Sequence, residues 1–140
     1  MDTSAPPPRN GAAPSVRVRL LHVEDDRVSA MLFAQMLPDA QRYELRVAED
    51  GVEALQLVDH WLPDVLVLDA HLPDMSGIDL LARLRCVAGL EQVPAFMCSA
   101  DAQADDVALA LAAGFAGYWV KPIDARGVAA DLAAIDTARA

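Results

Sequence analysis

Five side chains that can do chemistry in water stand where apolar runs of this chain stop. Glu24 and Asp25 follow VRVRLLHV, and Asp69 follows Val65-Leu66-Val67-Leu68. Ser99 follows the segment Val93 to Cys98, and Lys121 follows Ala116 to Val120. In a parallel α/β sheet, ligands sit in the loops beyond the carboxyl ends of the strands, so these tips converge on one rim. Two or three carboxylates about 4 Å apart repel by roughly 4 kcal/mol per pair at an effective dielectric near 20. They protonate or separate unless a cation lies between them. Mg²⁺ takes oxygen ligands and keeps several waters, so one or two carboxylates plus a backbone carbonyl suffice. The remaining hydroxyl and ammonium suit phosphoryl oxygens. The plainer alternative for Asp69 alone is a cap on its strand or on the next helix.

The elements that must position these groups follow from the apolar pattern. Strands are expected over Val16–Val23, Tyr43–Ala48, Val65–Asp69, Val93–Cys98 and Ala116–Val120. The unbroken run before Asp69 reads as a strand buried on both faces. Helices are expected over Arg27–Leu37, stopped by Pro38, then Gly51–Trp61, Ile78–Val87, Asp105–Ala113, ended by Gly114, and Val128–Ile135. Five strands alternating with five helices imply a parallel sheet with helices on both faces. Residues 1–15 hold Pro6-Pro7-Pro8, Gly11 and Pro14 and read as a flexible tail or linker, with one domain over 16–140.

Composition narrows the partners. A net charge of −10 argues against direct nucleic-acid binding, which needs clustered Lys and Arg. A hydrophobic content of 54% and a mean hydropathy of +0.23 argue against disorder. No apolar run approaches a membrane span and no signal-peptide core is visible. Cys86 and Cys98 both lie in apolar segments and read as reduced core residues, which makes the cytoplasm the expected compartment.

Four segments in order, HVEDD, LVLDAHLPDMSG, CSAD and YWVKPID, resemble the receiver domain of two-component response regulators. The spacings are 44 residues from Asp25 to Asp69, 30 from Asp69 to Ser99 and 22 from Ser99 to Lys121. The resemblance runs from about Val18 to Ile135. It implies a flavodoxin-like (βα)5 three-layer sandwich with strand order 2-1-3-4-5. It also implies that Asp69 is the phosphoacceptor, that Asp25 and Asp69 bind Mg²⁺ directly, and that Glu24 binds it through water. His71 would offer its backbone carbonyl to the metal. Ser99 would be the switch hydroxyl, Lys121 the phosphoryl-binding lysine and Tyr118 the rotating aromatic. The family often has a cis peptide where Lys121 meets Pro122, and X-Pro is the one cheap place for it. A phosphoryl group would arrive from a phosphohistidine on a histidine kinase or a histidine phosphotransfer domain. Phosphorylation would shift the face built from the fourth helix, fifth strand and fifth helix, which is also a possible homodimer surface. The chain would then be a signalling domain and not an enzyme beyond its own phosphoryl transfer and dephosphorylation.

Each assignment has a plainer counterpart. Asp26 reads as a cap at the start of the first helix. Tyr118 competes with simple sheet packing, and the His71 side chain reads as a rim group affecting water access. His22 reads as a core residue, His60 as a helix-surface residue, and Pro73 and Met75 as loop-shaping residues. A haloacid-dehalogenase-type phosphatase would need a second Asp where His71 stands, and a cap domain. A flavodoxin would need a Ser/Thr/Gly-rich phosphate loop where Glu24, Asp25 and Asp26 stand. A pseudo-receiver that docks without phosphorylation would not need Asp69, Asp25, Ser99 and Lys121 together. The wording of the last third is closest to receivers of hybrid histidine kinases; the alternative is a stand-alone regulator.

The first helix, RVSAMLFAQML, has eight apolar residues in eleven. Leu32, Phe33 and Met36, with Ser29, are expected to face the core. Ala30, Met31 and Ala34 are left as a second apolar face, a candidate dock for the phosphodonor.

Overall fold

The strands β1 (Val18–Val23), β2 (Tyr43–Ala48), β3 (Val65–Asp69), β4 (Ala95–Ser99) and β5 (Gly117–Val120) form one parallel sheet in the order β2-β1-β3-β4-β5. They alternate with helices α1 (Arg27–Met36), α2 (Gly51–Leu57), α3 (Gly77–Leu84), α4 (Ala104–Ala112) and α5 (Ala125–Arg139), with a short 3₁₀ turn at Ala40–Arg42. This is the flavodoxin-like order expected. The computed structural model describes residues 17–101 and 103–139. The anticipated tail at 1–15 lies outside the described residues, as does the start of the expected first strand.

The period of two along each strand explains the apolar runs. Leu21, Val23, Leu66 and Leu68 pack into one cluster with Ala54 of α2, Leu80, Leu81 and Leu84 of α3, and Ala110 of α4. Val18, Leu20, Val65 and Val67 pack into the other with Phe33 of α1 and Val128 and Leu132 of α5. A strand with helices on both sides carries mainly apolar side chains along its length, buried His22 on β1 excepted, so chemistry collects at its end. Each fully buried Leu or Phe in these layers contributes roughly 1.5–3 kcal/mol.

Three helices start on side-chain caps. Asp26 accepts from the Val28 N–H, Asp50 from the Glu53 N–H and Ser76 from the Asp79 N–H; each such cap is worth about 1 kcal/mol. Asp26 thus has the capping role expected of it. Gly114 has φ +108, the left-handed conformation that ends α4. Among the described residues no helix is long and apolar enough to cross a membrane.

Some expectations need correction. In α1 only Phe33 is buried; Ser29 and Met36 are half-buried, and Leu32 is 51% exposed. Consecutive helical residues point about 100° apart, so Leu32 is turned away from the inward stripe that Phe33 occupies. The second helix ends at Leu57, and exposed His60 stands in the turn that follows it. Cys86 is exposed in the turn after α3, so Cys98 alone is a core thiol. Burial pushes the Cys98 thiol up to about 12.

Candidate functional site

Sheet register assembles the rim. Val23 pairs with Leu68 across β1 and β3, so Glu24 comes level with Asp69. Asp69 pairs with Cys98, which puts Ser99 one step beyond it on β4. Ser99 pairs with Val120, and the Lys121 N–H donates to the Ser99 carbonyl at 2.8 Å. Residues far apart in sequence therefore meet because four parallel strands end together.

Ligand oxygens of Glu24, Asp25 and Asp69 lie within 4.8 Å of one another, an acidic cluster that could hold a metal ion. Lys121 Nζ donates to Glu24 Oε1 at 2.8 Å and to Asp69 Oδ2 at 3.3 Å. Glu24 is buried at 2% exposure, while Asp25 is exposed. Burial raises the Glu24 pKa, partly offset by its hydrogen bond from Lys121. Burial pulls Lys121 down, but the Glu24 hydrogen bond and the charges of Asp69 and Glu24 outweigh it, and its pKa is raised. One ammonium among three carboxyl groups leaves an excess of negative charge, which fits a divalent cation bound by oxygens. The Lys121–Pro122 peptide is cis, as the resemblance implies.

The other expected residues lie around this cluster. Ser99 is buried, and its Oγ accepts from the Asp101 N–H at 3.0 Å. The Tyr118 hydroxyl donates to the Asp101 carbonyl at 2.6 Å. The His71 N–H donates to Asp69 Oδ1 at 3.3 Å, and its exposed ring nitrogen Nε2 lies 3.3 Å from Asp101 Oδ2. Three expected site residues thus converge on Asp101, which had no expected role beyond membership of CSAD. On α1, Met31 is 62% exposed, and Ala30 and Ala34 are half-buried.

Two more residues escaped the sequence reading. A Cβ on Gly77 would stand 2.5 Å from the Asp69 carbonyl oxygen, and the Gly77 N–H donates to the Ala70 carbonyl at 2.9 Å. Only glycine lets α3 start this close to the Asp69 loop. Asp74 accepts from the N–H groups of Gly51 and Val52 at 2.9 Å each, which lowers its pKa and ties that loop to the start of α2. An Asp in a turn-rich stretch is a standing acceptor for backbone N–H groups, the one signal that pointed to it. His22 is buried as expected, and burial holds its imidazole down at about 4.

The profile of the response regulator receiver domain family matches residues 20–133. The chain is 34% identical over 109 residues to the chemotaxis protein CheY of Pseudomonas aeruginosa, covering 78% of this chain and 88% of that protein. It is 34% identical over 120 residues to the DNA-binding response regulator MtrA of Mycobacterium tuberculosis, covering 86% of this chain but 51% of MtrA. Among solved structures, the receiver domain of Francisella response regulator 1452 superposes with a TM-score of 0.76 at 26% identity, covering 89% of this chain and all of that one. The chemotaxis response regulator CheY4 of Vibrio cholerae gives a TM-score of 0.76 at 25% identity, covering 85% and 98%.

Proposed function

The chain belongs to the response regulator receiver domain family of two-component signalling, and from that premise we propose that Asp69 is its phosphoacceptor. The observation that carries this reading is the contact of Asp69 with Lys121 inside the acidic cluster. A carboxylate oxygen of Asp69 attacks the phosphorus of a partner's phosphohistidine. The P–N bond breaks, the imidazole leaves with its electron pair, and an acyl phosphate forms. Lys121 carries positive charge to the side of Asp69 on which the phosphoryl oxygens collect.

Asp25 and Asp69 would hold Mg²⁺ directly, Glu24 through water and His71 through its backbone carbonyl. When bound there, Mg²⁺ supplies charge neutralisation for the approach of an anionic phosphoryl group to a carboxylate. Asp25 is the ligand that can be removed with least structural cost, since it is exposed. Calorimetry on Asp25→Ala should show Mg²⁺ binding weakened by at least about tenfold, about 1.4 kcal/mol.

After transfer, the Ser99 hydroxyl turns from the Asp101 N–H to a phosphoryl oxygen. Tyr118 gives up the Asp101 carbonyl and moves inward, which shifts the face formed by α4, β5 and α5. Exposed Leu109 and Val120 make that face a candidate homodimer surface. The phosphodonor is a histidine kinase or a histidine phosphotransfer domain in the cytoplasm, docked on Ala30, Met31 and Ala34.

The test compares two donors. Met31→Glu should slow transfer from a protein phosphodonor and leave phosphorylation by acetyl phosphate near normal, because the small donor needs no docking. Equal losses with both donors, or no loss with either, would contradict the docking assignment.

A further inference from the structure

Below the rim, on the side of the sheet covered by α1 and α5, lies a cavity of about 360 Å³. Leu32, Phe33 and Met36 of α1 and Pro122 and Ile123 after β5 make its walls mainly apolar. His22 lines it from β1, on the same face as Val18 and Leu20. Its ring centroid is 4.5 Å from that of Phe33. The side chain is 1% exposed, and neither Nδ1 nor Nε2 has a hydrogen-bond partner among the described residues. A buried polar group without a partner is uncommon in folded proteins and calls for an explanation.

The other polar groups lining the cavity are already engaged. Lys121 Nζ is held by Glu24 and Asp69, and the Ser29 hydroxyl donates to Asp26 Oδ2 at 2.8 Å. A lone water in a mainly apolar cavity finds few partners besides His22.

We propose that this cavity binds an uncharged, mainly apolar small molecule whose one polar end both donates and accepts a hydrogen bond, as a primary amide or a phenol does. The volume lies within the range of small-molecule sites, about 300–1,000 Å³. A neutral imidazole offers one donor and one acceptor, and the ligand's polar end must match both or either. The charged residues that line the cavity, Lys121 and Glu24, are already paired with each other, so neither is left for an ionic ligand. Lys121 and Glu24 belong to this cavity and to the acidic rim alike, so an occupant would share a wall with Asp69.

The probes are benzamide, which has such a polar end, and toluene, which has the ring without it. They are titrated into the full chain while the NMR signals of the His22 ring and the Met36 methyl are followed. Benzamide should shift both saturably. His22→Leu should weaken benzamide about tenfold and leave toluene unweakened. Leu32→Trp, at the exposed mouth, should abolish the benzamide shifts in a protein that still folds, which keeps the test decisive if His22→Leu does not fold. Absence of saturable shifts in the wild type would overturn the proposal. So would benzamide binding that neither variant alters, or equal weakening of both probes by His22→Leu.

Discussion

The Tyr118 hydroxyl donates to the Asp101 backbone carbonyl at 2.6 Å, and the Asp101 N–H in turn donates to Ser99 Oγ at 3.0 Å. The aromatic and the hydroxyl that the switch reading both moves inward are therefore tied to one peptide segment. Pulling Ser99 towards Asp69 breaks one of these bonds and loosens the loop that holds the other. Tyr118→Phe removes the second bond alone. It should cost about 0.5–1.5 kcal/mol in urea unfolding. Phosphorylation should proceed, while the response of the α4–β5–α5 face to it, read by amide hydrogen exchange, should shrink. An unchanged exchange response would show that Tyr118 is sheet packing only.

Gly77 sets how closely α3 approaches the Asp69 loop. Gly77→Ala forces a Cβ against the Asp69 carbonyl, where backbone must move. A stability loss of about 1–3 kcal/mol is expected from such overpacking, together with slower labelling by acetyl phosphate. Normal stability and labelling would mean that the loop yields without consequence.

Much of this was legible in the sequence. The unbroken run from Val65 to Leu68 marked a doubly covered strand, and the acid after it marked a strand tip. That the tips bearing Glu24, Asp69, Ser99 and Lys121 meet on one rim followed from a parallel sheet, whereas the strand order came from the family resemblance and the register only from the structure. What was not legible came from loops. Asp101, Asp74 and Gly77 act through backbone groups whose positions depend on how the loops fold back, and no periodicity encodes that. The misplacement of Leu32 has another cause. A helix that is apolar on most sides does not announce which stripe faces the sheet, and only packing against β1 and β5 selects Phe33.

His22 gives the fold a pH dependence of known sign. Its imidazole is held at about 4 in the folded protein against 6.5 for the free side chain. Between those values the unfolded chain binds a proton that the folded one does not. Stability contributed at this position is therefore fully present above about 6.5 and falls as pH drops towards about 4, by about 3 kcal/mol at most. Denaturant unfolding of the wild type and His22→Leu from pH 7 to pH 4 should show the wild type losing stability faster. Parallel curves would refute the buried neutral imidazole.

The most direct test is to locate the phosphoryl group. The chain is incubated with acetyl phosphate and Mg²⁺, and the acyl phosphate is then reduced with labelled borohydride and the label mapped by peptide analysis. The label should fall on position 69 and nowhere else, and should vanish in Asp69→Asn, while Asp25→Asn should accumulate far less of it. Label on Asp25, Glu24 or any other residue in the wild type, or undiminished label in Asp69→Asn, would contradict the assignment of Asp69 as the phosphoacceptor.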